Sequence, residues 1–118
     1  METTLYDRSG QPTAYIADDN ETIYLWDGRA VAYLYDDKVY GFNGQYLGWF
    51  IGGIIYDEHG LKIGFESSKC PSVTRVSPVK SVKHVKSVKH VRSVPRIRPV
   101  LKISSSDEDF RAFLENEK

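Results

Sequence analysis

Four copies of one short pattern govern residues 1–66. Gly10, Gly28, Gly44 and Gly60 recur at intervals of 18, 16 and 16 residues, each with a tyrosine (Tyr6, Tyr24, Tyr40, Tyr56) four positions before it. Four positions after each stands a small residue (Ala14, Ala32, Gly48, Gly64), followed at once by an aromatic one (Tyr15, Tyr33, Trp49, Phe65). With flanks rich in Ile, Val, Tyr, Trp and Phe, each unit reads as a β-hairpin. A lone hairpin is marginal in water, but four that pack their apolar faces together make a core. The expected fold is all-β: four short hairpins in a pseudo-fourfold head, then an extended polyproline II-like tail and a short C-terminal helix.

The turns and faces follow from the same spacing. Asp27-Gly28 and Asn43-Gly44 are expected as two-residue type I′ turns, and Asp7–Gly10 and Asp57–Gly60 as type I turns closed by a left-handed Gly. Alternation across a two-residue turn puts Tyr24, Trp26, Val31 and Tyr33 on one face and Ile23, Leu25, Ala30, Ala32 and Leu34 on the other. In the third unit, Tyr40, Phe42, Leu47 and Trp49 oppose Val39, Gly41, Gly48 and Phe50 in the same way. The recurring small residue marks a crowded point where the hairpins meet.

After the head the pattern changes to a period of three. Val73, Val76, Val79, Val82, Val85, Val88, Val91, Val94, Ile97, Val100 and Ile103 recur without a miss, among Lys, Arg, His, Ser, Thr and Pro, with Leu101 the one other aliphatic. In an α-helix every third residue advances 300°, so this series would wind around the surface. Pro78, Pro95 and Pro99 interrupt a helix as well. A β-strand would throw successive valines to opposite faces, and a 3₁₀-helix rarely lasts more than about 4 residues. Polyproline II, with three residues per turn, lines the series along one edge. Straight, the run would span ~93 Å, against a radius of gyration of ~11 Å for a 66-residue head. An exposed aliphatic edge of that length calls for burial against other copies, with a trimer the simplest closure.

The repeat and this tail together resemble the 4-fold β-flower proteins, a bacterial family. The resemblance runs through the tail to Pro99 and the acidic-aromatic segment beyond it. It implies the fold and carries no activity and no catalytic residue.

Charge divides the chain in the same places. Residues 1–66 carry 11 acids and 4 bases, residues 67–106 carry 10 bases and no acid, and residues 107–118 carry 5 acids and 2 bases. That segregation points either to the tail meeting acids of the heads or to an anionic partner such as nucleic acid. For a polyanion the contacting residues would be Lys80, Lys83, Lys86, Lys89, Arg92, Arg96 and Arg98. The tail holds no aromatic side chain to stack on bases. In the last segment, Ser106 followed by Asp107, Glu108 and Asp109 reads as a helix start, with Phe110, Phe113 and Leu114 on one face. The domain plan is therefore 1–66 head, 67–105 tail and 106–118 helix.

Little else carries chemistry. His84 and His90 share a tail edge, His59 sits in a turn, and Asp18/Asp19 and Asp36/Asp37 occupy inter-hairpin loops without the acceptor set of a calcium site. Cys70 is the single cysteine, so no internal disulfide forms. No catalytic constellation or phosphate loop stands out. Trp26 and Phe42, beside the turns, are the aromatic residues expected to be exposed and to contact a small ligand at the head. The N-terminus lacks an apolar leader and no run spans a bilayer, so a cytoplasmic location without membrane contact is expected. The overall expectation is a non-enzymatic binding or assembly module, without cofactor or metal, homo-oligomeric through the aliphatic edge.

Overall fold

The computed structural model describes residues 2–75, 80, 83, 89, 92, 101, 102, 104, 106 and 108–115. Eight strands, β1 (Thr3–Tyr6), β2 (Pro12–Ile16), β3 (Thr22–Leu25), β4 (Ala30–Tyr35), β5 (Lys38–Gly41), β6 (Tyr46–Ile51), β7 (Ile54–Asp57) and β8 (Lys62–Phe65), pair in chain order and close into an antiparallel barrel. Closure rests on one register pair, Tyr6 with Phe65. A short 3₁₀ turn (Ser67–Lys69) follows β8, and one helix, α1 (Phe110–Glu115), ends the described chain.

Each part of the repeat has a place in this barrel. Within every hairpin a bulky aliphatic residue faces the small one: Leu5 pairs with Ala14, Ile23 with Ala32, Val39 with Gly48, and Ile55 with Gly64. Those six non-glycine side chains are all fully buried in one interior cluster. Alternating large and small residues lets a narrow barrel fill without clashing across its axis. At Gly48 a Cβ would run into the Tyr56 carbonyl, so the strand spacing itself depends on the missing side chain. Between hairpins the aromatic residues pair: Tyr15 with Tyr24, Tyr33 with Tyr40, Trp49 with Tyr56, and Phe65 with Tyr6 across the seam. The first two pairs stack, with centroids 5.6 and 5.9 Å apart. Such cross-strand aromatic pairs contribute up to roughly 1 kcal/mol each and fix the order of the hairpins.

All four glycine turns have the same geometry. The amide of Gly10, Gly28, Gly44 and Gly60 donates to the carbonyl three residues earlier, and each glycine has φ between 83° and 94°. The residue after each glycine then accepts from the first turn residue, as Arg29 O does from Leu25 N at 2.8 Å. This is a type I turn with a left-handed Gly, as expected at Asp7–Gly10 and Asp57–Gly60. The type I′ expectation fails at Asp27-Gly28 and Asn43-Gly44. Among the described residues only Asn20 and Asp36 combine a side chain with positive φ. The turn chosen needs positive φ at the glycine alone, and the side chains of Asp27 and Asn43 accept from Arg29 N and Gln45 N. Positive φ at two successive residues occurs instead at Gly52 and Gly53, joining β6 to β7.

The extra turn residue shifts the register by one in each hairpin. A one-residue shift reverses the faces of the following strand start. Val31 and Leu47 accordingly pack with the interior cluster, while Ala30 joins the outer aromatic residues. The two-residue bookkeeping had these positions on the opposite sides.

The last segment docks on its own barrel. Phe110, Phe113 and Leu114 are buried within the interior cluster, closing the barrel end that carries the glycine turns. Phe110 occupies the space a Cβ on Gly64 would need. The helix start falls three residues later than Ser106 implied. Asp109 is the cap, its Oδ2 accepting from Ala112 N at 3.1 Å. Ser106 donates its amide to Lys62 O, receives Arg8 on its carbonyl, and accepts from Glu108 N on Oγ at 3.1 Å. A four-membered charge ring, Asp27–Arg29–Glu115–Arg111, fastens the helix to the second turn, with contacts of 2.7 to 3.4 Å. Burial raises the Asp27 pKa, but the Arg29 amide and guanidinium outweigh it and hold the carboxylate below its ordinary value.

Candidate functional site

The run after β8 is fastened to the barrel at both ends. Near its start, Cys70 Sγ and Ser72 Oγ reach the carbonyls of Asp7 and Arg8, and Arg75 N donates to Gly10 O at 2.9 Å. Near its end, Lys102 N donates to Gly60 O at 2.9 Å, and Ser104 and Ser106 bracket Lys62 by backbone hydrogen bonds. Two anchors on one barrel replace the straight ~93 Å rod expected from the period. The anchors form because the glycine turns offer carbonyls, Arg8 O, Gly10 O and Gly60 O, that the sheet ladder leaves open.

Between the anchors, the described cations all lie against the barrel wall. Lys80 Nζ donates to Glu2 Oε1 at 2.6 Å and stands 4.3 Å from the Tyr15 ring centroid and 5.2 Å from that of Trp26. Lys83 is 3.2 Å from Glu2 Oε2 and 5.2 Å from the Tyr24 ring. Lys89 pairs with Glu21 at 3.0 Å and covers Tyr33 at 4.4 Å, and Arg92 stacks on Tyr35 at 3.6 Å. Each contact sets a cation against an acid, a ring face or both, a combination that individually contributes little at such exposed positions and acts by repetition along the wall. Lys86, Arg96, Arg98, His84 and His90 lie outside the described residues, as do Val76, Val79, Val82, Val85, Val88, Val91, Val94, Ile97, Val100 and Ile103. Val73, which begins the series, is 92% exposed.

Of the two aromatic residues expected at an open surface, Phe42 is buried and Trp26 is partly exposed. Phe42 is 9% exposed, tilted against Tyr33 with centroids 5.6 Å apart. Trp26 sets its edge on Tyr15 at 5.6 Å and is roofed by Lys80. Asp18/Asp19 and Asp36/Asp37 show turn roles: Asp19 caps Glu21 N, Thr22 N and Thr22 Oγ1, and Asp37 lies 3.6 Å from Lys38. His59 sits 3.7 Å from Glu58. Among the described residues no group of three or more His, Cys, Asp or Glu could hold a metal ion, and no helix is long and apolar enough to cross a membrane.

Glu2, Glu21, Tyr15, Tyr24, Tyr33 and Tyr35 are the barrel side of this contact. The acid excess of the head announces that such partners exist, while only the register shows which acids and rings face the tail. Hydrogen bonding from Lys80, opposed by some burial, lowers the Glu2 pKa, and Glu2 in turn raises that of Lys83. A depressed carboxylate contributes stability that is present above its unfolded value near 4.3 and lost as pH falls through the lower folded value. A raised lysine contributes stability that is present below its unfolded value near 10.4 and lost as pH rises through the higher folded one. The Glu2 clasp should therefore hold across neutral pH and open at both extremes. Amide exchange at Lys80 and Lys83 followed against pH checks this, and protection that persists unchanged below pH ~3 contradicts it.

The family model of the 4-fold beta flower protein matches residues 3–114. The chain belongs to that family. No curated protein and no solved structure matches it. The β-flower match begins at the first strand residue and ends at Leu114, the last of the three helix side chains that plug the barrel. Barrel, tail and plug thus fall within one family unit.

Proposed function

We propose that this β-flower is a non-catalytic assembly module that homo-oligomerises through the aliphatic edge of its tail. The observation that carries it is the placement of the cations. Lys80, Lys83, Lys89 and Arg92 are separated by multiples of three and all meet the same barrel. In a three-residue period they form one edge, and the valines belong to another, roughly 120° around the axis. An edge of cations turned toward its own barrel leaves the aliphatic edge for a second copy, consistent with the exposure of Val73. The repeated registers and turns support a pseudo-fourfold head, and the period supports a polyproline II course between the anchors. Closure of three edges on one another makes a trimer the expected order.

Replacing Val85 and Val91 together by Asp tests this. Both belong to the aliphatic series, so the double variant is expected to sediment at 13.5 kDa with its circular dichroism unchanged, while the parent sediments at a multiple of that mass. A parent and variant of equal mass would defeat the proposal. The polyanion alternative has less support, since four of its contact residues are already committed to Glu2, Glu21 and the aromatic wall. Nucleic-acid binding whose affinity falls steeply with salt would restore it.

A further inference from the structure

The four aromatic pairs between hairpins are equivalent by the repeat, and three of them hold an ammonium. Over the first, Lys80 Nζ stands 4.3 Å from the Tyr15 centroid and 2.6 Å from Glu2. Over the second, Lys89 stands 4.4 Å from Tyr33 and 3.0 Å from Glu21. Over the third, Lys38, supplied by the barrel itself, stands 5.2 Å from Trp49 and 3.6 Å from Asp37. The arrangement repeats each time: a ring face attracts the cation and a carboxylate beside it pairs with the charge.

The fourth pair, Tyr6 with Phe65, closes the barrel differently. Its junction has one register pair where the others have three or four. Those three junctions are each turned by a tight link with a left-handed residue, Asn20, Asp36 or Gly52. No link returns β8 to β1, and the chain leaves Phe65 by the 3₁₀ turn instead. A cleft of about 330 Å³ opens there, lined by Glu2, Thr4 and Tyr6 on the β1 side and by Glu66 and Ser67 beyond β8. That volume is within the ~300–1,000 Å³ usual for small-molecule sites. Among the described residues no lysine or arginine lines it. Glu66 has no ion-pair partner among them, unlike Glu2, Glu21 and Asp37. Ring, acid and space match the other three junctions, while the described chain contributes no cation to them.

We propose that this seam cleft binds a primary ammonium on an alkyl stem, the chemistry of a lysine side chain, with Tyr6 as the ring and Glu66 as the acceptor. The probe is n-butylammonium, titrated into the full-length protein while backbone amide shifts are followed, with n-butanol and butyrate as neutral and anionic counterparts. Saturating shifts are expected at Thr4, Tyr6 and Ser67 in roughly the millimolar range, about threefold or more weaker for the alcohol and absent for butyrate. Nα-acetyl-lysine N-methylamide separates the two sources of this chemistry. Binding as tight as that of butylammonium supports a lysine presented by a peptide, and weaker binding supports a free amine. Glu66 makes no side-chain cap to the 3₁₀ turn, so Glu66→Gln should fold as the parent does and weaken butylammonium by about three- to fivefold. Glu66→Lys, which brings an ammonium of the chain's own to the seam, should abolish the shifts. Equal binding of ammonium and alcohol, shifts that never saturate, saturation at Tyr15 or Tyr33 before the seam, or an affinity unchanged in Glu66→Gln would each overturn the proposal.

Discussion

Phe110→Ala is expected to lower barrel stability by about 3–5 kcal/mol, the cost of deleting a buried phenyl ring. The ring is 2% exposed and sits where a side chain on Gly64 would otherwise be. Deleting it leaves a void lined by the large–small ring of the interior, and that ring has little room to collapse because the Tyr56 carbonyl already approaches Gly48 more closely than a Cβ would allow. Denaturant unfolding of the variant against the parent measures the loss, and a change below about 1 kcal/mol would mean that the helix does not plug the barrel. Gly64→Ala presses on the same contact from the other side. It should cost about 1–3 kcal/mol by forcing Phe110 outward, and the two substitutions should be strongly non-additive.

Truncation after Cys70 should have the larger effect. It removes Phe110, Phe113 and Leu114 from the interior cluster, Leu101 from the outer one, and the cations over Tyr15, Tyr24, Tyr33 and Tyr35. At about 1.5–3 kcal/mol per buried apolar side chain, the three plug residues alone amount to roughly 5–9 kcal/mol. A domain of this size has only about 5–15 kcal/mol in total. The truncated chain is therefore expected to lose cooperative thermal unfolding and to aggregate through its uncovered aromatic wall. A soluble 1–70 fragment with a sharp transition would show that the tail is an appendage rather than part of the fold.

The sequence was most informative where one residue type has few alternatives. Four glycines fixed the turns, and the small residues beside the aromatic ones marked a crowded interior. Asp27-Gly28 and Asn43-Gly44 misled because a strong two-residue turn signal competes with a three-residue turn that requires only the glycine to be left-handed. That one extra residue moved Val31 and Leu47 inward. Closure into a barrel was not legible, since it depends on Tyr6 meeting Phe65 across the whole head. The tail's period was legible and its course was not. Period three describes an edge, whereas the hydrogen bonds at Gly10 and Gly60 that turn the chain back onto the barrel involve backbone atoms common to every residue.

The proposed assembly has the cationic edge of the tail engaged by its own barrel and the aliphatic edge engaged by another copy. Native mass across a range of protein concentrations tests it most directly. It predicts a mass that is a multiple of 13.5 kDa, three copies expected, persisting at high salt because the contact between copies is apolar. A single 13.5 kDa species at every concentration would contradict it.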